Sequence, residues 1–167
     1  ANWQEQNCGT NAIGTSIAVS APVQIQRNEH FLKTNRSIIG SAAPIFGAHR
    51  QIAGVLSVFS DAYLPQAHTL GMVRLLSQSV ENRLIKRQFG PDHFQITLNT
   101  TADNFDSPWS GILVCDDFGK IIASNQRADQ LLGMNTVEAR LDELFTSRRH
   151  QILEHPETET LQLTTRS

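Results

Sequence analysis

Apolar and polar residues alternate along Pro22 to Gln26 (PVQIQ), which is the period of a half-buried strand. Two further strand-like runs, SIIGSAAPIF and QIAGVLSVFS, flank the short connection GAHR and predict a β-hairpin. Pro44 in the first arm predicts an edge position or a bulge, because proline has no amide to donate. Between strand and hairpin, NEHFLKTN reads as one or two helical turns with Asn28 as a cap. Upstream, Asn11 to Val19 predicts a short helix stopped by SAP at Ser20 to Pro22.

The longest helical pattern runs from Gln66 to Gln88, about 34 Å at 1.5 Å per residue. Met72, Leu76, Val80 and Leu84 recur every fourth position, while Val73, Leu76 and Val80 alternate three and four. Its basic last turn suits the helix dipole, and FGPD at Phe89 to Asp92 ends it and marks a domain boundary. Beyond it, HFQITLNT predicts a strand and TADNFDSPWS a loop. GILVCDDFGKIIASN predicts strand, tight turn, strand. Helical runs follow at NQRADQLLG, with Gly133 as the stop, and at TVEARLDELFTSRRHQILEH; TETLQLTT predicts a last strand. Strand pairs and short helices without a βαβ rhythm predict an α+β chain with two sheets.

Composition narrows the function. The chain has 167 residues, 40% hydrophobic and 18% charged, with a net charge of −2, so it suits one or two globular domains and offers no footprint for nucleic acid. The short basic clusters RLIKR and SRRH read as solvated faces. No apolar run is long enough to span a membrane. Cys8 and Cys115 lie far apart and form no disulfide framework, so a reducing, cytoplasmic setting is expected. His30, His49, His68, His93, His150 and His155 include no pair with H-x-x-x-H spacing and there is no C-x-x-C, so neither metal nor cofactor is expected.

CGTNAIGTSIA, from Cys8 to Ala18, has the glycine spacing of a phosphate-binding loop. The resemblance fails on chemistry: Thr15 takes the place of the phosphate-binding lysine, and the polar ANWQEQN before it offers no buried strand. A turn leading into a helix is the simpler reading. Asp116 and Asp117 form a carboxylate pair in sequence, but DDFGK between apolar runs is turn chemistry. Cys8 at a helix start is a candidate redox thiol, without a resolving partner nearby. Trp109 after Pro108 reads as a hinge or core residue. The small residues from Ser41 to Ala43 leave room for a ligand to approach a strand. Trp3, Asn11, His30, Phe31 and Ser41 are the candidate ligand contacts, with His30 and Phe31 equally open to ordinary packing.

W-x-E-x-x-x-GTNAIGT-x-x-A, PV-x-I-x-x-x-EHF, SAAPIF before IAGVLSV, HTLGMV and SVENRL together resemble the sensory GAF domain of the acetoin catabolism regulators. These are bacterial activators that work with the sigma-54 form of RNA polymerase. Phe94 to Leu98, followed by SPWSGILVCDDFGKIIASNQRADQLLG, is similar to the PAS-type segment after that domain. The resemblance implies residues 1–88 as a GAF-like sensor lacking its first elements, with the linker helix 66–88, and residues 92–167 as a PAS-like domain lacking its last strands. It implies a small-molecule effector such as acetoin or an aromatic compound, and a homodimer seam along Val73, Leu76, Val80 and Leu84. It implies no catalytic residues. Polymerase and DNA would be engaged by an ATPase and a helix-turn-helix outside this chain, and no membrane is involved. Family members often carry a cysteine just before SAAPI, where this chain has Gly40. Two other readings remain: a docking module controlled by a partner protein, and a thiol-dependent GAF enzyme using Cys8 or Cys115.

Overall fold

The computed structural model describes residues 8–61, 68–102, 105–156 and 159–166. The chain forms two compact units, Ala1–Phe46 with Ile52–Glu81 and Gly47–Gln51 with Asn82–Ser167. Each contains a three-stranded antiparallel sheet with strands in chain order.

In the first unit the strands are β1 (Val23–Gln26), β2 (Ile38–Phe46) and β3 (Ile52–Asp61). β2 is central, and this corrects the edge position expected from Pro44. β1 ends opposite Ala42, so the residue without an N–H lies beyond the stretch flanked on both sides, and the expected irregularity falls next to it, between Ile45 and Phe46. A helix, Ala12–Val19, packs on the Ala42 face, where Ala12, Ile25 and Ala42 form the core with Val55 against them. Asn11 caps its start by accepting from the Gly14 amide at 2.8 Å. Ser20 ends it in the left-handed region, at φ 53°. The NEHFLKTN stretch forms 3-10 turns at Arg27–Glu29 and Lys33–Ser37 rather than α-helix.

The long helix is Thr69–Phe89; expected positions 66 and 67 lie outside the described residues. Val73, Ser77, Glu81 and Ile85 are buried at four-residue spacing, and Met72, Leu76, Val80 and Leu84 form a parallel exposed row.

The second unit holds β4 (Phe94–Leu98), β5 (Gly111–Cys115) and β6 (Ile121–Ser124). GILVC has no polar alternation because β5 is covered on both faces. Leu113 and Cys115 pack with Ile121, Leu141, Leu144 and Phe145, whereas Ile112 and Val114 pack with Ile85 and Ala123. The helix Gln126–Leu132 starts at the Asn125 cap and stops at Gly133, φ 70°. The single helix expected from TVEARLDELFTSRRHQILEH is instead two short ones, Leu141–Leu144 and Arg149–Leu153. The break has a tertiary cause. Phe145 is buried in extended conformation and bridges Thr165, while Thr146 donates to the Thr164 carbonyl and Arg166 to that of Leu144. TETLQLTT accordingly forms that one bridge among its described residues, not the strand expected.

Candidate effector site in the first unit

Small residues on β2 set how closely the 12–19 helix approaches. A Cβ on Gly40 would stand 3.0 Å from both Ala12 Cβ and Phe59 Cε1. Any side chain at this position would need its neighbours to shift.

The structure separates the candidate contacts. Asn11 is buried, with its Nδ2 donating to the Gly9 carbonyl at 2.8 Å in addition to its capping bond, so its amide is committed to the turn. Gly9, at φ +62°, holds that turn in a conformation that favours glycine; a Cβ there would fall 2.5 Å from Phe31 Cβ. Gly9 of GTNAIGT thus serves the turn and its packing. Phe31 itself is 73% exposed. Ser41 is buried and accepts from Gln24 Nε2 at 2.9 Å. Strand alternation puts Ser41 on the face opposite Ala42, and therefore opposite the 12–19 helix. Trp3 lies outside the described residues.

His30 differs from these. It is 1% exposed, yet among the described residues neither Nδ1 nor Nε2 has a hydrogen-bond partner. Its backbone amide donates to the Arg27 carbonyl at 3.2 Å. Leaving buried polar atoms unpaired costs about 1–3 kcal/mol each.

An open apolar groove of about 490 Å³ runs between the helix and β3, lined by Ile13, Ile17, Ile52, Ala53, Gly54 and Val55. Its size suits a small ligand. None of the residues singled out in the sequence lines it. Ile13 and Ile17, one helical turn apart, were a usable signal, but an i, i+4 apolar pair normally marks core.

The proposed seam is partly rearranged. Val73 is 1% exposed and faces inward, and Met72, 60% exposed, shares the outer row with Leu76, Val80 and Leu84. Trp109 is half-exposed, not core, and its carbonyl accepts from Arg127 Nε at 3.1 Å. Cys115 is buried; desolvation, aided by the Asp116 charge, pushes its thiol up to about 12, far from nucleophilic. Asp116 and Asp117 form the turn expected of them, with the Asp116 carboxylate accepting from the Phe118 and Lys120 amides. No group of three or more histidines, cysteines or carboxylates is placed to hold a metal among the described residues. None of their helices is long and apolar enough to cross a membrane.

Comparison with known proteins turns this geometry toward regulation. The chain is 28% identical over its whole length to the acetoin catabolism regulatory protein of Cupriavidus necator. Over 90% of its length it is 30% identical to a signal-transduction and transcriptional-control protein of Clostridium beijerinckii. Over 49% it is 37% identical to the acetoin dehydrogenase operon transcriptional activator of Bacillus subtilis. The chain is thus similar to bacterial regulators of acetoin catabolism and to a transcriptional-control protein. It spans about a quarter of the length of the first two relatives, 27% and 24%, and 14% of the third. No family model matches it. Among solved structures, the Escherichia coli DhaR(N)–DhaL complex shares the fold, with a TM-score of 0.50 over 87% of this chain and 50% of that one, at 16% identity. Two of these relatives are named as a regulatory protein and a transcriptional activator.

Proposed function

We propose that this chain is the signal-receiving region of a sigma-54-dependent transcription activator. The first unit, GAF-like, holds a small effector; the second is PAS-like. The observation that carries the reading is His30, a buried imidazole whose ring nitrogens have no hydrogen-bond partner among the described residues. A hydroxyl or carbonyl of a compact effector such as acetoin would supply the missing partner, and the apolar groove beside the 12–19 helix offers space for a larger or aromatic one. The relatives' names connect them to acetoin catabolism. An effector shifts the regulator only through different affinities for two arrangements of the long helix, which pairs with a second copy along Met72, Leu76, Val80 and Leu84. Polymerase and DNA are engaged by parts of the activator outside this chain, in the cytoplasm.

The test is a thermal melt of the chain with acetoin, butanediols and simple aromatic alcohols. Binding to the folded state alone raises the melting temperature progressively with ligand concentration. His30→Phe removes the unpaired nitrogens, so it should fold at least as well while losing the ligand-dependent rise. A full rise in that variant places the effector elsewhere, and Ile17→Trp, which fills the groove, then becomes the deciding variant. The DhaR(N) neighbour crystallised with a protein, DhaL, which favours partner control as the second reading. No response to any small compound, with a defined partner co-purifying, selects it.

A further inference from the structure

The β5–β6 turn is unusually well fixed. The Asp116 amide donates to the Lys120 carbonyl and the Gly119 amide to that of Asp116, each at 3.0 Å. The Asp116 carboxylate accepts from the Phe118 and Lys120 amides at 2.9 Å. Gly119 adopts φ +76°, and a Cβ there would stand 2.7 Å from Arg149 Cδ, so the arginine stem lies directly on the turn. At the tip of this rigid loop the Phe118 ring is 68% exposed. A lone exposed phenylalanine is ordinary. Its surroundings are not.

Two guanidiniums converge on one oxygen: Arg140 Nη2 donates to the Phe118 carbonyl at 3.1 Å and Arg149 Nη1 at 3.0 Å. Among the described residues neither guanidinium forms an ion pair. Two carboxylates beside them bond the arginines' own amides rather than the guanidiniums, Glu143 accepting from the Arg140 amide at 3.0 Å and Asp142 from the Arg149 amide at 3.1 Å, and Asp116 accepts within the turn. A shared carbonyl brings two like charges close together without neutralising either, and leaves several donors on each unused.

We propose that this corner is a docking point for an acidic protein segment, which sets a carboxylate between Arg140 and Arg149 and an apolar side chain against Phe118. Arginine and aromatic anchors beside one another are the composition of binding hot spots, and the fixed turn removes the ordering cost of presenting them. Two cations beside a phenyl ring suit a carboxylate with an apolar neighbour better than a phosphate backbone, and a chain of net charge −2 adds no broader basic field.

Amide NMR spectra of the whole chain, titrated with a peptide of alternating glutamate and leucine, test this. The glutamate peptide should shift the amides of Asp117 to Gly119, Arg140 and Arg149, and its glutamine counterpart should not. Phe118→Ser, which alters only an exposed side chain, and the pair Arg140→Gln with Arg149→Gln should each weaken binding about ten-fold or more, whereas lysine at both arginine positions should retain part of it. Absence of shifts at this corner at millimolar peptide overturns the proposal. Equal shifts with tripolyphosphate, together with unchanged peptide binding by Phe118→Ser, overturn it in favour of a simple anion site.

Discussion

Asn125 shows how much one side chain settles in the second unit. Its Oδ1 accepts from the Ile112 and Ala128 amides, both at 2.9 Å, and its Nδ2 donates to Asn82 Oδ1 at 2.7 Å and the Ser110 carbonyl at 2.8 Å. It therefore caps a helix, ties that cap to β5 and reaches the long helix while almost fully buried. Asn125→Ala should lower unfolding free energy by about 3 kcal/mol in denaturant titration, because several buried groups lose partners together. Gly119→Ala should cost about 1–2 kcal/mol, from its positive φ and the Arg149 stem. Cys115 gives a reactivity prediction. With its thiol held near pH 12, it should stay unlabelled by a disulfide reagent at pH 8 in the native protein and react only on unfolding, whereas half-buried Cys8 reacts earlier. The same shift fixes the sign of an alkaline effect. The unfolded chain releases this proton from about pH 9 upward while the folded chain retains it, so the thiol's contribution to stability declines as pH rises from 9 toward 12.

Among the elements, the long helix separates two roles that its sequence superimposes. Residues 72, 76, 80 and 84 and residues 73, 77, 81 and 85 both recur at four, and only packing shows that the second set faces inward. Val73→Asp should therefore unfold or destabilise the first unit by several kcal/mol. Leu76→Asp and Val80→Asp should leave the circular dichroism spectrum intact and halve the mass by light scattering. An unchanged mass in both would remove the seam from this face. The region after Ala139 shows the opposite limit. LDELF and RRHQIL have helical periodicity, but tail residues pair with the segment between them, and local propensity yields to that pairing.

For the whole molecule, a net charge of −2 predicts that the chain does not retard random duplex DNA at low-micromolar concentration in a mobility-shift assay. The α+β class, the two sheets, the hairpins and the first and long helices were legible in the sequence. Strand alternation, turn residues such as DDFG and helix stops such as Gly133 act over a few residues, and their geometry is nearly independent of what surrounds them. The resemblance to acetoin catabolism regulators was legible too, because GTNAIGT, EHF and SAAPIF keep a recognisable order. The candidate site was less so. His30 stood out by residue type, yet its burial without a hydrogen-bond partner among the described residues is set by tertiary packing. Ser41, chosen with it, points to the face of β2 away from the helix that Asn11 caps, a distinction set by strand alternation. The groove walls, the inward turn of Val73, the broken last helix and the convergence of Arg140 and Arg149 on Phe118 likewise depend on which surfaces meet. The sequence by itself determined the local elements, through interactions that close within a few residues, and the resemblance to known regulators; tertiary structure decided burial and partnership, because those depend on contacts between residues far apart in the chain.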